Sequence, residues 1–402
     1  MEKSRHYSWL LAVLSTLTAV GLHSYLSFKF YALRFGALGH SSVCNFNELW
    51  NCDAVSASAY SQLFGIPMAV WGLVTNVILV LMLIVTRLGW VENEQRGQRY
   101  TSWLAVIVFL ASVVMGIISA ALLKSLCLFC VFSYVLSIFS FVGVLIWARP
   151  PLFQNLMADI AALFSAHRGF LVGILVIPIL AFFLNSIFLD NFQGDKMALI
   201  SVEKIVQWRQ SPLQTFKLDQ GLVEYKGSGS PKMEIIEFAD FRCSHCKEAY
   251  FAMDAFVASH TDVKLIFKFY PLDGTCNPEP AMAGKGDGIS CEAAFAVHCS
   301  EKLFKKGWQA HHAFFDNQEK LQSYSSKDEV TDFICKETQS DCGSLKSCTS
   351  SIETRNEVQA MAAEGIAAGV RGTPSIYVNN RQLGYGQFLP VLEKAYENLH
   401  SN

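Results

Sequence analysis

The sequence predicts an all-helical membrane bundle followed by a soluble α/β domain. Of 402 residues, 52% are hydrophobic and only 16% are charged, with the apolar excess concentrated before residue 190. Five apolar runs in that part are each long enough to cross a bilayer. The remainder changes to short strand and helix patterns of ordinary globular character. A formal net charge of -2 gives no basic surface for nucleic acid, so no nucleic-acid partner is expected.

The runs cover roughly residues 8–28, 63–86, 103–123, 126–147 and 170–189, each about 20 residues, enough for a hydrocarbon core at ~1.5 Å rise per residue. The last four contain no Asp, Glu, Lys or Arg, and the first carries only His23. Phe28-Lys29-Phe30-Tyr31 follows the first run where a signal peptide would need small residues, so that run reads as a retained span. Lys3, Arg5, Arg87, Arg96, Arg99, Arg149 and Arg168 flank one side, against Lys29, Arg34 and Lys124 on the other. This asymmetry places the N-terminus in the cytoplasm and, after five crossings, the C-terminal domain outside. The loop holding Cys44 and Cys52 falls outside, as does the Lys124-Ser125 junction before Cys127. Disulfides persist in such a compartment.

Residues 191–230 read as a linker: an amphipathic stretch around Ile200–Trp208, then Gly227-Ser228-Gly229-Ser230-Pro231. Ile235–Phe238 signals a strand, Cys243-Ser244-His245-Cys246 opens a helix through Ser259, and Val263–Phe269 is a second strand. Residues 285–366 are mostly helical in pattern. Gly372-Thr373-Pro374 precedes a strand to Val378, Asn379-Asn380 turns a hairpin, and Phe388–Leu399 closes as a helix.

A CxxC on the first turn of a helix sets Cys243 among unpaired N–H groups at the positive end of the helix dipole. That favours thiolate, and His245 adds to it. A stabilised thiolate stabilises the reduced form and makes the disulfide an oxidant, with Cys243 attacking and Cys246 resolving. A structural disulfide or half a zinc site is the alternative reading of the pair. Strand, CxxC, helix and a later Thr-Pro together resemble the thioredoxin superfamily over residues 231–402, specifically its DsbA type, with a helical insertion between the strand pairs. The resemblance implies that Pro374, after Thr373, is cis against the CxxC, and that Glu237 handles the proton of the second cysteine.

Cys127-Leu128-Phe129-Cys130 opens the fourth span, where the same helix-terminus argument applies. Cys44 and Cys52 sit in a polar loop, a pair that a loop-closing disulfide also explains. Zinc would recruit His40 but finds no fourth soft ligand nearby, so no metal is expected. The loop pair, Ser58, Phe64-Gly65, the CLFC motif and Tyr134 resemble the vitamin K epoxide reductase family across about 8–148. The whole chain is similar to a bacterial fusion of that enzyme with a thioredoxin-like partner. The resemblance implies a four-helix core in residues 1–148 holding a quinone of ubiquinone or menaquinone type beside the CxxC. Ser58 and Tyr134 are then quinone contacts, and residues 149–190 supply a fifth transmembrane helix. Ala57 departs from the family's frequent second serine, and Asn76 lies at a different spacing from its second-helix asparagine.

The remaining cysteines, Cys276, Cys291, Cys299, Cys335, Cys342 and Cys348, are expected to be structural, with Cys276 and Cys291 the local pair and the rest open. The function expected is disulfide generation in exported proteins at the bacterial inner membrane. Substrate dithiols would reduce Cys243–Cys246, which reduces Cys44–Cys52, then Cys127–Cys130, then the membrane quinone pool. The rival readings are a conduit for a periplasmic thiol reductase or isomerase, or a lipid-embedded anchor for a thioredoxin-like chaperone.

Overall fold

A computed structural model describes residues 2–36, 42, 44–45, 49–91, 93–149, 156–165 and 167–401. Two compact units divide the chain: Met1–Ala32 with Ser42–Gly194, and Leu33–Ser41 with Asp195–Asn402.

The first unit contains α1 (Glu2–Arg34), the short α2 (Cys52–Ala57), strands β1 (Gln62–Leu63) and β2 (Ile66–Pro67), α3 (Met68–Arg87), α4 (Glu94–Ile117), α5 (Leu128–Ala148), α6 (Leu156–Phe164) and α7 (Arg168–Asn191). Five helices among the described residues are long and apolar enough to cross a membrane: Lys3–Arg34, Met68–Arg87, Glu94–Leu123, Leu128–Ala148 and Arg168–Asn191. The second begins later than its apolar run because Leu63 to Pro67 form a hairpin, with Phe64 and Gly65 at positive φ in its turn. α4 continues through a π-helical stretch, Ile118–Leu123, and stops at left-handed Lys124, which frees Ser125 and Leu126 to pair elsewhere.

Small residues bring the helices together, as expected where lipid tails are no more repelled than leucine. A Cβ on Gly143 of α5 would strike the Ser8 carbonyl and Ala12 of α1. One turn away, Thr16 and Ser140 share a hydrogen bond of 2.8 Å. Tyr31 donates to Asn185 of α7 at 2.5 Å. α6 lies outside the expected spans, and its buried Asp159 accepts two hydrogen bonds from Arg99, at 2.5 and 2.6 Å. A buried carboxylate needs such a partner to offset its lost hydration.

The second unit holds α8 (Gly194–Gln210), β3 (Leu222–Tyr225), β4 (Met233–Ala239), α9 (Ser244–Ser259), β5 (Val263–Phe269), α10 (Ile289–Phe304), α11 (Gly307–Asp316), α12 (Gln318–Ser323), α13 (Lys327–Thr338), α14 (Cys342–Thr349), α15 (Ile352–Ala367), β6 (Ser375–Val378), β7 (Arg381–Gln382) and α16 (Leu389–His400). The sheet order is β3-β5-β4-β6-β7, with β4 parallel to β5 and antiparallel to β6. Central β4 is buried along nearly its whole length, as its apolar run requires. Asn379 and Asn380, both at positive φ, turn the last hairpin.

The expected linker 191–230 is corrected here. α8 docks on the sheet through buried Trp208, whose Nε1 donates to the Val378 carbonyl at 3.0 Å. Phe216 packs against Phe238 and Tyr377, and β3 pairs with β5 as an edge strand. Buried aromatic area, invisible in a short non-alternating stretch, decides the matter. Disulfides Cys276–Cys291, Cys299–Cys348 and Cys335–Cys342 staple the helical insertion.

Candidate functional site: three dithiols and a cavity

In the second unit, Cys243 is the N-cap of α9, partly exposed, and Cys246 is fully buried one turn on. Both are free thiols. The hydrogen bond from Cys246 is the largest influence lowering the Cys243 thiol, to about 6; burial opposes it, and Thr373 assists. The Thr373 hydroxyl is buried without a hydrogen-bond partner, and the Cys243 thiol donates to the Thr373 carbonyl at 3.3 Å. The Thr373–Pro374 peptide is cis. Burial pushes the Cys246 thiol well up. One sulfur is therefore disposed to carry charge and the other to keep its proton.

His245 is not among the causes lowering Cys243: its side chain is 72% exposed and faces Glu248 at 3.2 Å. The fold therefore turns away from the thiolate a ring whose place in the CxxC suggests that it supports it. Glu237 on β4 is buried, and desolvation first, then the charge of Cys243, raises its carboxyl to about 8. Two further residues hold the turn. Buried Asp240 accepts from the backbone N–H groups of Arg242 and Leu272, both at 2.5 Å. Gln318, from α12, donates to the carbonyls of Phe241 and Cys243, both at 2.8 Å. Gln318 lies 75 residues from Cys243, beyond any local pattern.

In the first unit, Cys44 and Cys52 form one disulfide and Cys127 and Cys130 another, with Cα separations of 5.8 and 5.1 Å. Cys44, Cys52 and Cys127 share one buried cluster, against which Cys130, Leu26, Val55 and Phe129 pack. The loop is pinned to the CxxC through backbone. Asn51 N–H donates to the Leu126 carbonyl at 3.0 Å, and Leu126 N–H donates to that of Leu49 at 2.6 Å. Asp53 clamps the loop from within, accepting from Ser42 N–H (3.1 Å), Ser42 Oγ (2.5 Å) and Asn45 Nδ2 (2.7 Å). Cys127 is the N-cap of α5, and its sulfur accepts from Cys130 N–H at 3.2 Å. His40 lies outside the described residues.

Beside Cys130 opens a cavity of about 220 Å³, walled by residues of α1, α3, α4 and α5. Leu26, Met68, Trp71 and Val108 give it an apolar lining; Tyr134, Asn76 and His23 supply polar groups. Ser58 requires a correction: it is absent from the wall, and its hydroxyl donates to the Val55 carbonyl at 2.8 Å. Ser56, two residues earlier, lines the cavity instead. Asn76 also lines it, donating to the Gly72 carbonyl at 2.7 Å with its second N–H and oxygen left over. Helix register, not spacing from the cysteines, brings Asn76 there.

Residues 9–145 match the model of the vitamin K epoxide reductase family, and residues 224–389 match a thioredoxin family model. No curated protein matches the chain. Among solved structures, BdbD from Bacillus subtilis is 18% identical, covering 48% of this chain and 99% of its own, with a TM-score of 0.39. A thioredoxin-like oxidoreductase from Silicibacter pomeroyi is 20% identical, covering 45% and 92%, TM-score 0.36. Wolbachia pipientis alpha-DsbA1 is 17% identical, covering 46% and 96%, TM-score 0.37. The chain thus joins a domain of the vitamin K epoxide reductase family to a thioredoxin-like domain, an architecture of thiol–disulfide oxidoreductases.

Proposed function

We propose that this oxidoreductase generates disulfides in exported proteins and disposes of the electrons on a membrane quinone. The observation that carries the reading is the shared burial of Cys44, Cys52 and Cys127 beside a cavity that Cys130 lines. Sulfur pairs in contact exchange by thiolate attack through mixed disulfides. Electrons would pass from substrate thiols to Cys243–Cys246, then to Cys44–Cys52, then to Cys127–Cys130. Cys44 would meet Cys243, Cys52 would exchange with Cys127, and Cys130 would stand nearest the acceptor.

The low thiol of Cys243 supports the direction: a stabilised thiolate makes the domain's disulfide ready to accept electrons from substrates. Thr373 and Pro374 would bound the exchange site, and Glu237 would take the Cys246 proton. The apolar walls and sparse polar groups of the cavity fit a planar ring bearing two carbonyls. Tyr134 and Asn76 would hold it by hydrogen bonds to those oxygens. A quinone supplies a lipid-soluble acceptor for two electrons and two protons.

The Lys and Arg asymmetry supports an orientation with all three dithiols outside a bacterial inner membrane and the N-terminus cytoplasmic. The bundle of residues 1–148 would do the quinone chemistry, and the C-terminal domain would face exported substrates. Thiol trapping in cells tests the direction. Cys243–Cys246 should be mainly oxidised at rest and should accumulate reduced in Cys130→Ala; a dithiol reduced at rest in the native chain would reverse the assignment.

A further inference from the structure

Behind the CxxC of the second unit lies a small cavity of about 10 Å³, lined by Glu237, Glu224, Tyr250, Asp254, His311 and His312, with Trp308, Leu265 and Met253 completing its wall. Its size suits a single water, which needs two to four polar partners. His311 is 4% exposed, and its Nδ1 has no hydrogen-bond partner although it lines this space. A buried polar atom left unpaired is destabilising, so a packed histidine ring with this defect requires an explanation. The ring itself is held by Phe241, Phe267, Trp308 and Phe315, none of which needs an imidazole.

We propose that His311 relays protons between Glu237 and solvent, with His312 and Glu224 forming the outer end of the path. The idea rests on the role given to Glu237 above. In closing the disulfide from a mixed disulfide at Cys243, the Cys246 thiol gives its proton to the Glu237 carboxylate. The Cys246 thiolate attacks Cys243 Sγ, the new S–S bond forms, and the partner sulfur leaves with the electron pair of the broken bond. Because its carboxyl is raised to about 8, Glu237 holds a proton at pH 7 and must discharge it along the path before it can accept the one from Cys246. In the opposite half-cycle the leaving Cys246 thiolate takes a proton that Glu237 must regain.

The order of burial matches such a path. Glu237 and His311 are buried, His312 is intermediate, and the Glu224 side chain is 22% exposed. The Tyr250 hydroxyl holds His312 Nδ1 at 2.9 Å. Burial drives the His311 imidazole well below its usual range, so it stays neutral, with one nitrogen to accept and one to donate. The charged and titratable groups around the path are Glu224 from β3 and Lys226 just after it, Glu237 from β4, Cys243, Tyr250 and Asp254 near or on α9, and His312 and Asp316 from α11. When Cys243 enters a mixed disulfide its charge vanishes, and with it the repulsion that helps hold the Glu237 proton.

The test follows closure of Cys243–Cys246 after mixing the reduced full-length protein with glutathione disulfide, across pH 5.5–9. His311→Phe keeps an aromatic ring and should close about tenfold more slowly at pH 7, a modest share of what positioned proton transfer contributes, with the deficit shrinking toward pH 9. His311→Ala should be rescued by added imidazole, whereas Cys243 alkylation stays native. Native closure rates in both variants, or a pH-independent loss without rescue, would overturn the relay. If neither variant folds, Glu224→Gln and His312→Phe decide: each should slow closure about threefold with a shifted pH profile, and an unchanged profile rejects the path. If the native protein fails to exchange with glutathione disulfide at all, the functional reading itself fails.

Discussion

Leu126 and Asn51 are joined by a 3.0 Å backbone hydrogen bond that fixes the loop dithiol against the head of α5. Leu126 also donates to Leu49, so two backbone bonds bracket the contact between Cys52 and Cys127. Leu126→Pro removes the donor and clashes with this pairing. Quinone reduction in the full chain should fall at least about tenfold, the order that a displaced reacting pair costs, while Cys243 alkylation is unchanged. Equal loss at both sites would show a general folding defect instead.

The loop pair is nearly inaccessible, Cys44 being 1% and Cys52 4% exposed. In the proposed relay, exchange of this pair with Cys243 would need the Asp53 clamp to open. Asp53→Ala removes three accepted hydrogen bonds, two from Ser42 and one from Asn45, each worth about 1–3 kcal/mol to a charged group. Reduction of Cys44–Cys52 by a soluble thiol should accelerate about tenfold, since ~1.4 kcal/mol is a factor of ten. The rate is read by timed alkylation.

The thiol of Cys243, lowered to about 6, predicts that its alkylation rate climbs from pH 5 and levels off above pH 7. The unfolded thiol titrates at about 8.5, so the contribution of Cys243 to the stability of the reduced domain grows as pH rises from 6 to 8.5. That gain is fully present above the unfolded value and lost as pH falls through 6. His245→Ala should leave the alkylation midpoint within about half a unit, because the ring faces Glu248.

Glu237 has the opposite sign. Its carboxyl is raised to about 8, so its contribution is intact below the unfolded value of about 4.5 and lost as pH rises through 8. Glu237→Gln should therefore be more stable than the native chain at pH 8, by chemical denaturation, and slower in closing Cys243–Cys246. A variant less stable at pH 8 contradicts the buried-acid account.

Tyr134→Phe and Asn76→Leu each remove a polar group from the cavity and should raise the quinone KM about tenfold, near the ~1.4 kcal/mol of one hydrogen bond. Ser58→Ala should change it little, since that hydroxyl is engaged with Val55.

The sequence made the architecture readable because its signals are strong and local. Long uncharged runs mark spans, and a strand, CxxC, helix and Thr-Pro mark the second fold at fixed positions. Cys276 with Cys291 was legible for the same local reason. What escaped depends on distance or register. Trp208 and Phe216 join the sheet through contacts over 160 residues away, so 191–230 read as linker. Gln318 reaches the CxxC from the insertion, and Ser56 rather than Ser58 faces the cavity because α2 turns between them.

The most direct measurement is quinone absorbance in a lipid-reconstituted full-length chain mixed with a reduced, unfolded exported protein. Bleaching should match one quinone per substrate disulfide formed and should vanish in Cys44→Ala/Cys52→Ala and in Cys130→Ala. Undiminished bleaching without the loop pair, or none with every cysteine intact, would contradict the relay.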